Sequence, residues 1–347
     1  MKHTHRYWLE KLQLQVVTAG AVAFVYLVCW QGLRGTDPDA AVSFLANGSG
    51  TEILLFAGIL WAMAAVCGAL TIMGRPESAM IAVLLGAGGL ALRSGQMRSL
   101  LWQNMPDSGA MYGKLILEVV VLAVLAMAAG SLAAFTRALM SRSRPNWLWK
   151  HPLAELPDED RRKLGLAEVD RVVFVGGLVD SAVLNMGMWL FRSLARRGSS
   201  KAGDKARNRE MAVRTASALG LALMLSIVLL LVFMRSADRG QIIFALLASF
   251  FLAVLIAHQM MPCPFGPIVW MLPIVVAVGA YILAGTTSVG AGPQGWIAAP
   301  AYARALPLDW LTAGGGGATL GYWVSARMHE ERHMERPIEA EGDQQYV

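Results

Sequence analysis

The chain has 347 residues, of which 56% are hydrophobic and only 16% are charged, and its mean hydropathy is +0.49. Because soluble domains carry about a quarter charged residues, this composition excludes an ordinary soluble globular protein. A net charge of +6 would suggest a nucleic-acid partner for a soluble protein, but cytoplasmic loops rich in Lys and Arg explain it for a membrane protein. We therefore expect the lipid bilayer, and no nucleic acid, as the partner of this chain.

The apolar residues fall into blocks of about 20, the length that a helix needs to cross roughly 30 Å of hydrocarbon. Backbone polar groups in lipid must be satisfied within the segment, so such blocks predict helices. The fold class predicted is an all-α, polytopic transmembrane bundle. Its spans, about eight in number, are predicted at 13–33, 53–73, 78–101, 114–136, 212–234, 241–260, 267–285 and 308–326.

The distribution of basic residues predicts the orientation of these spans. With the amino terminus in the cytoplasm, 23 of the 30 Lys and Arg residues lie on the cytoplasmic side and seven lie outside or near the outer interface. Cytoplasmic loops of membrane proteins carry such an excess. We expect a multi-pass protein of the cell (inner) membrane with both termini in the cytoplasm.

The chain is predicted to divide into two halves of four spans. The halves are 1–136 and 212–326, separated by a basic cytoplasmic insert, 137–211, and followed by a charged cytoplasmic tail, 327–347. Within the insert, 172–191 is long enough to cross the membrane, but crossing would move the following basic residues outside. It is interpreted as a helix that lies on the inner membrane surface or is tucked among the spans.

The most specific motif follows the last span. His329, Glu330 and His333 match the pattern H-E-x-x-H, which on a helix places two imidazoles on one face for zinc and a Glu as general base. A catalytic zinc also needs a third protein ligand, for which His151 in the insert is a candidate. The simpler interpretation, which we favour, is a charged and solvated continuation of the span. No cofactor is therefore predicted, and zinc is the alternative.

Two intramembrane charges are predicted to pair. Glu118 lies in the fourth span and Arg98 near the outer end of the third, and a short connection makes these spans antiparallel neighbours. Charges in lipid are costly unless paired, so a salt bridge is expected. The alternative is that Glu118 binds a proton or an ion. We favour the structural pair because both groups are predicted near the interface.

Small residues mark a face of the eighth predicted span. Ala313, Gly317 and Gly321 recur at every fourth position, a spacing that lets helix backbones approach closely. The sequence predicts that this face packs against another helix.

Three classes of function remain open. The first is a structural or accessory subunit of a membrane assembly, with protein partners or further copies of itself, because packing faces and a basic insert are the strongest features. The second is a small-solute or ion transporter or channel, although the spans hold few ionisable groups. The third is a zinc metalloprotease at the cytoplasmic face, which rests on the motif at His329 and His333. An enzyme is the less favoured class.

Overall fold

The computed structural model describes residues 2–34, 41–46, 50–104, 108–143, 202–262, 266–288 and 300–344. Every regular element in these ranges is a helix. The α-helices are α1 (Lys2–Phe24), α2 (Trp30–Leu33), α3 (Gly50–Leu70), α4 (Pro76–Arg93), α5 (Met97–Gln103), α6 (Ser108–Ser143), α7 (Ala202–Phe233), α8 (Arg239–Met260), α9 (Gly266–Val269), α10 (Leu272–Ser288), α11 (Pro307–Asp309) and α12 (Gly315–Gln344). The other helical turns are a 3-10 turn (Ala301–Arg304) and two π-helical turns (Val25–Cys29 and Trp310–Gly314).

The prediction of an all-α chain is confirmed for the described residues, and several of its helices are apolar and long enough to cross a membrane. Five helical stretches meet that requirement by length and composition: Trp8–Leu33, Gly50–Leu70, Gly109–Met140, Ala212–Phe233 and Arg239–Met260. A sixth is obtained if α4 and α5, which meet at a bend of 60°, form one span. These helices support a membrane-embedded protein, whereas the predicted count of eight is not confirmed.

The last two predicted spans are interrupted, as is the third, in which α4 and α5 meet at a bend. In 267–285, a turn at Trp270 and Met271 separates α9 from α10. Pro273, at the second position of α10, has no backbone N–H to continue a preceding helix. In 308–326, the π-helical turn separates α11 from α12, and α12 continues into charged residues. An apolar block thus does not guarantee one uninterrupted helix.

The centre of the bundle is α4. It contacts α1, α3, α6, α12 and the π-helical turn before α12, and its Val83, Leu84 and Leu90 are fully buried. Around it, α6 packs on α3 and α10, while α8 lies between α7 and α12. The side chains of α7 that point away from α8, among them Met224 and Leu231, are exposed and apolar. That is the surface expected of a helix against lipid.

Contacts between distant residues define two ends of the bundle. At one, which we call the amino end, Glu10 of α1 pairs with Arg327 of α12. At the opposite end, Arg239 at the start of α8 pairs with Asp309. The helical chain from Asp309 to Arg327 rises about 27 Å at 1.5 Å per residue. Despite its π-helical turn, this segment runs from one end of the bundle to the other.

Candidate functional site

Charged side chains inside the bundle are the first candidates for a functional site, because an unpaired charge in an apolar interior is costly. In the described part of the chain, the buried Asp, Glu, Lys and Arg side chains, none more than 8% exposed, are Glu10, Glu118, Arg137, Asp309 and Arg327. Their partners distinguish charges that stabilise the fold from charges that are available for chemistry.

Glu118 of α6 holds a short non-helical segment, 41–46, inside the bundle. Its Oε2 accepts hydrogen bonds from Ser43 Oγ at 2.5 Å and from the backbone N–H of Leu45 at 3.0 Å. Phe44, between them, is buried and packs against the ring of Phe56 in α3. Irregular backbone at membrane depth is tolerated only where other protein groups satisfy it. Glu118 supplies one of the acceptors that this segment requires.

Two serines complete the attachment of the same segment. Ser94, which follows the last residue of α4, accepts from the N–H of Val42 at 2.8 Å. Ser99 of α5 accepts from the N–H of Ala41 at 2.9 Å. Three backbone donors of an irregular segment are therefore bonded by side chains from two other parts of the chain. Nothing in the local sequence pattern indicates that residues 41–46 fold back into the bundle.

The other carboxyl oxygen of Glu118 has a different environment. Oε1 is buried and has no hydrogen-bond partner among the described residues. Tyr281 of α10 lies within electrostatic range of this carboxyl group, and its ring is 6.0 Å from that of Tyr112. The two tyrosine hydroxyls donate to backbone carbonyls in the stretch 303–305, at 3.5 Å from Tyr112 and 2.5 Å from Tyr281.

The structure does not bring the predicted pair of Arg98 and Glu118 together. The side chain of Arg98 is exposed, whereas Glu118 is fully buried. The reason is that α6 begins at Ser108 and not near residue 114, so Glu118 lies about 15 Å along the helix. At that depth Ser43 and Leu45 bond the carboxylate where an arginine had been expected.

An ion pair that sequence analysis did not predict lies at the same end of the bundle. The guanidinium of Arg239 bonds both carboxylate oxygens of Asp309, with Nη2 2.5 Å from Oδ1. The same guanidinium donates to the carbonyl of Ala91, in the last turn of α4, from Nη2 at 2.7 Å and Nε at 3.2 Å. Asp309 also accepts from the N–H of Leu306 at 2.8 Å. The pair joins α4, α8 and α11. Its only signal in the sequence is Asp309, an acidic residue in the first turn of the predicted span 308–326.

At the amino end, Glu10 connects three elements. One carboxylate oxygen pairs with Arg327 of α12, and the other accepts from the backbone N–H of Arg75, just before α4, at 3.1 Å. The guanidinium of Arg327 also lies over the ring of Trp323, 5.5 Å from its centroid, a cation–π contact. These interactions tie α1 to α4 and α12.

Arg137, near the end of α6, caps the end of α3. Its guanidinium donates to the carbonyls of Thr71 at 2.8 Å, Arg75 at 3.2 Å and Ile72 at 3.3 Å, and to that of Gly74. The last carbonyls of a helix have no partner within it. Arg137 supplies donors to the turn between α3 and α4, so its charge stabilises backbone.

The histidines of the zinc hypothesis are only partly described. The His329 ring lies 5.3 Å from that of His258, at the end of α8, and its Nε2 is 3.4 Å from the carbonyl oxygen of His258. His258 Nδ1 and Ser325 Oγ share a hydrogen bond of 2.7 Å. The side chains of Glu330 and His333, although both residues belong to α12, lie outside the described residues, as does all of His151. Within the described ranges, no three His, Cys, Asp or Glu side chains are grouped as metal ligands.

The small-residue face of α12 lies against α8. Ala313 is in the π-helical turn and is buried. A Cβ atom at Gly317 would overlap the carbonyl oxygen of Leu247, and one at Gly321 would overlap that of Phe251. Both carbonyls belong to α8, so the two backbones are in close contact over about one helical turn. A side chain at either glycine would force the helices apart.

No protein-family model matches the chain, and no curated protein or solved structure is significantly similar to it. The contacts of the buried polar groups are therefore the basis for a proposed function. They form two groups: Glu118, Arg239 and Asp309 at the opposite end, and Glu10, Arg137 and Arg327 at the amino end.

Proposed function

We propose that this protein is a structural or accessory subunit of a membrane assembly. The observation that carries the proposal is how the charged side chains inside the bundle are bonded. Arg137 bonds carbonyls of the turn after α3, and Arg239 bonds a carbonyl in the last turn of α4. Glu10 and Glu118 bond backbone N–H groups of non-helical residues, and Asp309 pairs with Arg239. Each of these charges joins elements of the bundle.

Transporters use buried charges differently. In transporters, intramembrane ionisable groups face a cavity or mark the path of an ion, and half-helix ends coordinate the substrate. In the described part of this bundle, the protein's own Arg137 bonds the turn that follows α3, and Arg239 bonds the last turn of α4. Such bonding favours one rigid arrangement, which suits a subunit that supports its neighbours.

We also propose that the bundle crosses the inner membrane eight times, with both termini and the insert 137–211 in the cytoplasm. The uneven distribution of basic residues supports this orientation. The helical path from Asp309 at one end of the bundle to Arg327 at the other supports an eighth crossing in spite of its π-helical turn. The broken segment formed by α9 and α10 would be the seventh.

Photo-crosslinking in the native membrane tests the accessory role. A photoreactive amino acid would be placed along the exposed faces of α3, α7 and α10, starting at Leu54, Met224 and Val275, which are 72%, 68% and 57% exposed. Ala222 of α7, which is fully buried, is the matched control. The proposal requires that at least one face yields a discrete product heavier than the chain, and that Ala222 yields none. Products with lipid alone along all three faces would contradict it.

Transport of a small solute or ion is the second candidate. The observation that favours it is the buried Oε1 of Glu118, which has no described hydrogen-bond partner and lies within electrostatic range of Tyr281. Protein reconstituted in vesicles with an internal pH dye would be challenged with a membrane potential. Proton flux above that of empty vesicles, lost on Glu118→Gln, would put this candidate first. Flux equal to that of empty vesicles would leave the accessory role in place.

A further inference from the structure

Oε1 of Glu118 is buried inside the bundle and has no described hydrogen-bond partner. We propose that Glu118 is a proton-binding site, and that its carboxyl group carries a proton on Oε1 in the resting bundle. The proposal rests on the burial of the carboxyl group, on the chemistry of the groups that bond it and on its comparison with Asp309.

Asp309 and Glu118 are two fully buried carboxyl groups at the same end of the bundle. Asp309 is bonded on both oxygens by the guanidinium of Arg239 and accepts a further backbone N–H. That is the environment of an ionised carboxylate, because a bidentate arginine neutralises its charge. No basic side chain is among the contacts of Glu118 within the described residues.

The groups that bond Glu118 are all uncharged donors. Ser43 Oγ–H and the N–H of Leu45 are directed at Oε2, and the backbone N–H of Phe44 also interacts with the carboxyl group, whereas Oε1 is buried without a described hydrogen-bond partner. An ionised carboxylate offers about four lone-pair sites over its two oxygens. A buried carboxylate that is neither paired nor fully hydrogen-bonded neutralises by taking up a proton. A proton on Oε1 removes the charge and leaves both bonds to Oε2 intact.

The same donors favour a proton over a metal ion at this position. Hard cations take several oxygen lone pairs as ligands. At Glu118, Ser43 and Leu45 direct hydrogen atoms, not lone pairs, at the carboxyl group. The hydroxyl hydrogen of Tyr281, the tyrosine of α10, is donated to the carbonyl of Ala305. A proton needs only the one oxygen that remains.

Infrared spectroscopy of the full chain in lipid at neutral pH tests this site. A protonated carboxyl group has a carbonyl stretch well separated from the bands of an ionised carboxylate. The wild-type protein should show that stretch, Glu118→Gln should lose it, and the matched variant Asp309→Asn should keep it. If Glu118→Gln does not fold, Glu118→Asp takes its place; it keeps a carboxyl group and should move the band.

Three results would overturn the proposal. The first is a wild-type spectrum without a protonated carboxyl band. The second is a band that is unchanged in Glu118→Gln or Glu118→Asp, which would assign it to another residue. The third is a band that disappears from the wild-type protein when Na⁺ or K⁺ is added at constant pH, since this would make Glu118 a cation site. A band unaffected by either salt, and lost or moved by substitution of Glu118, supports the proton site.

Discussion

The carboxyl group of Glu118 accepts hydrogen bonds that hold the segment 41–46 inside the bundle. Glu118→Ala removes the acceptor for the N–H of Leu45 and the hydroxyl of Ser43, and leaving a buried donor unsatisfied costs about 1–3 kcal/mol. We expect a lower melting temperature in detergent or lipid, measured by the intrinsic fluorescence of the tryptophans.

Glu118→Gln is the matched control for this substitution. An amide oxygen can still accept from Leu45, and the side chain has nearly the same volume and no charge. We expect most of the stability to be retained in Glu118→Gln and lost in Glu118→Ala. Equal losses in the two variants would mean that a negative charge, and not an acceptor, is what the segment needs.

The pair of Arg239 and Asp309 should behave as a coupled unit. Removing one partner strands a buried charge, at a cost of about 3–5 kcal/mol, whereas replacing both by apolar residues of similar volume is much less harmful. In a cycle of Arg239→Met and Asp309→Leu, we therefore expect the double variant to unfold at a higher temperature than either single variant. Additive losses would show that the two side chains act independently.

At the scale of residues, the sequence indicated that Glu118 lies in an apolar helix but not what it bonds. The partner residues lie 73 and 75 positions earlier in a segment without helical pattern, and no periodicity links such a segment to a particular helix. Arg239 is one of the seven basic residues predicted outside or near the outer interface, and the sequence pattern gives no sign of its pairing with Asp309. Hydropathy predicts where a charge lies along a span but carries no information about its neighbours.

At the scale of elements, the close packing of α12 on α8 is tested best at Gly317. Gly317→Leu places a side chain where the carbonyl of Leu247 lies, and overpacking of a core costs about 1–3 kcal/mol even where side chains can adjust. Here the obstacle is backbone, so we expect a clear drop in melting temperature. Gly220→Leu on α7, where a Cβ would meet nothing within 4 Å, should leave the melting temperature almost unchanged. A similar effect of the two substitutions would argue against close packing of α12 on α8.

Block length predicted the uninterrupted helices well. The predicted spans 53–73 and 241–260 correspond to Gly50–Leu70 and Arg239–Met260. The breaks were not predicted: Trp270 and Met271 lie in an apolar block, and so does the π-helical turn at Trp310–Gly314. Such breaks are accompanied by tertiary contacts, here the close approach of Gly314 to Pro273 of α10. Apolar composition alone gives no sign of these contacts.

At the scale of the whole molecule, the proposed orientation makes an accessibility prediction. In a background whose native cysteines are replaced, Ser200→Cys in the insert should react with an impermeant maleimide only after the membrane is opened. Gln96→Cys, exposed between α4 and α5, should react from outside in intact cells. Labelling of residue 200 from outside, or of residue 96 only from inside, would contradict the proposed orientation.

The mass of the native particle tests the accessory role most directly. Membranes from cells that make the protein at its natural level would be extracted with a polymer that retains the surrounding lipid, and the particle would be weighed by native mass spectrometry. We expect a species well above the 37.4 kDa of one chain, which contains either another subunit in a fixed ratio to this chain or several copies of this chain. A particle that contains one chain and lipid, and nothing else, would contradict it.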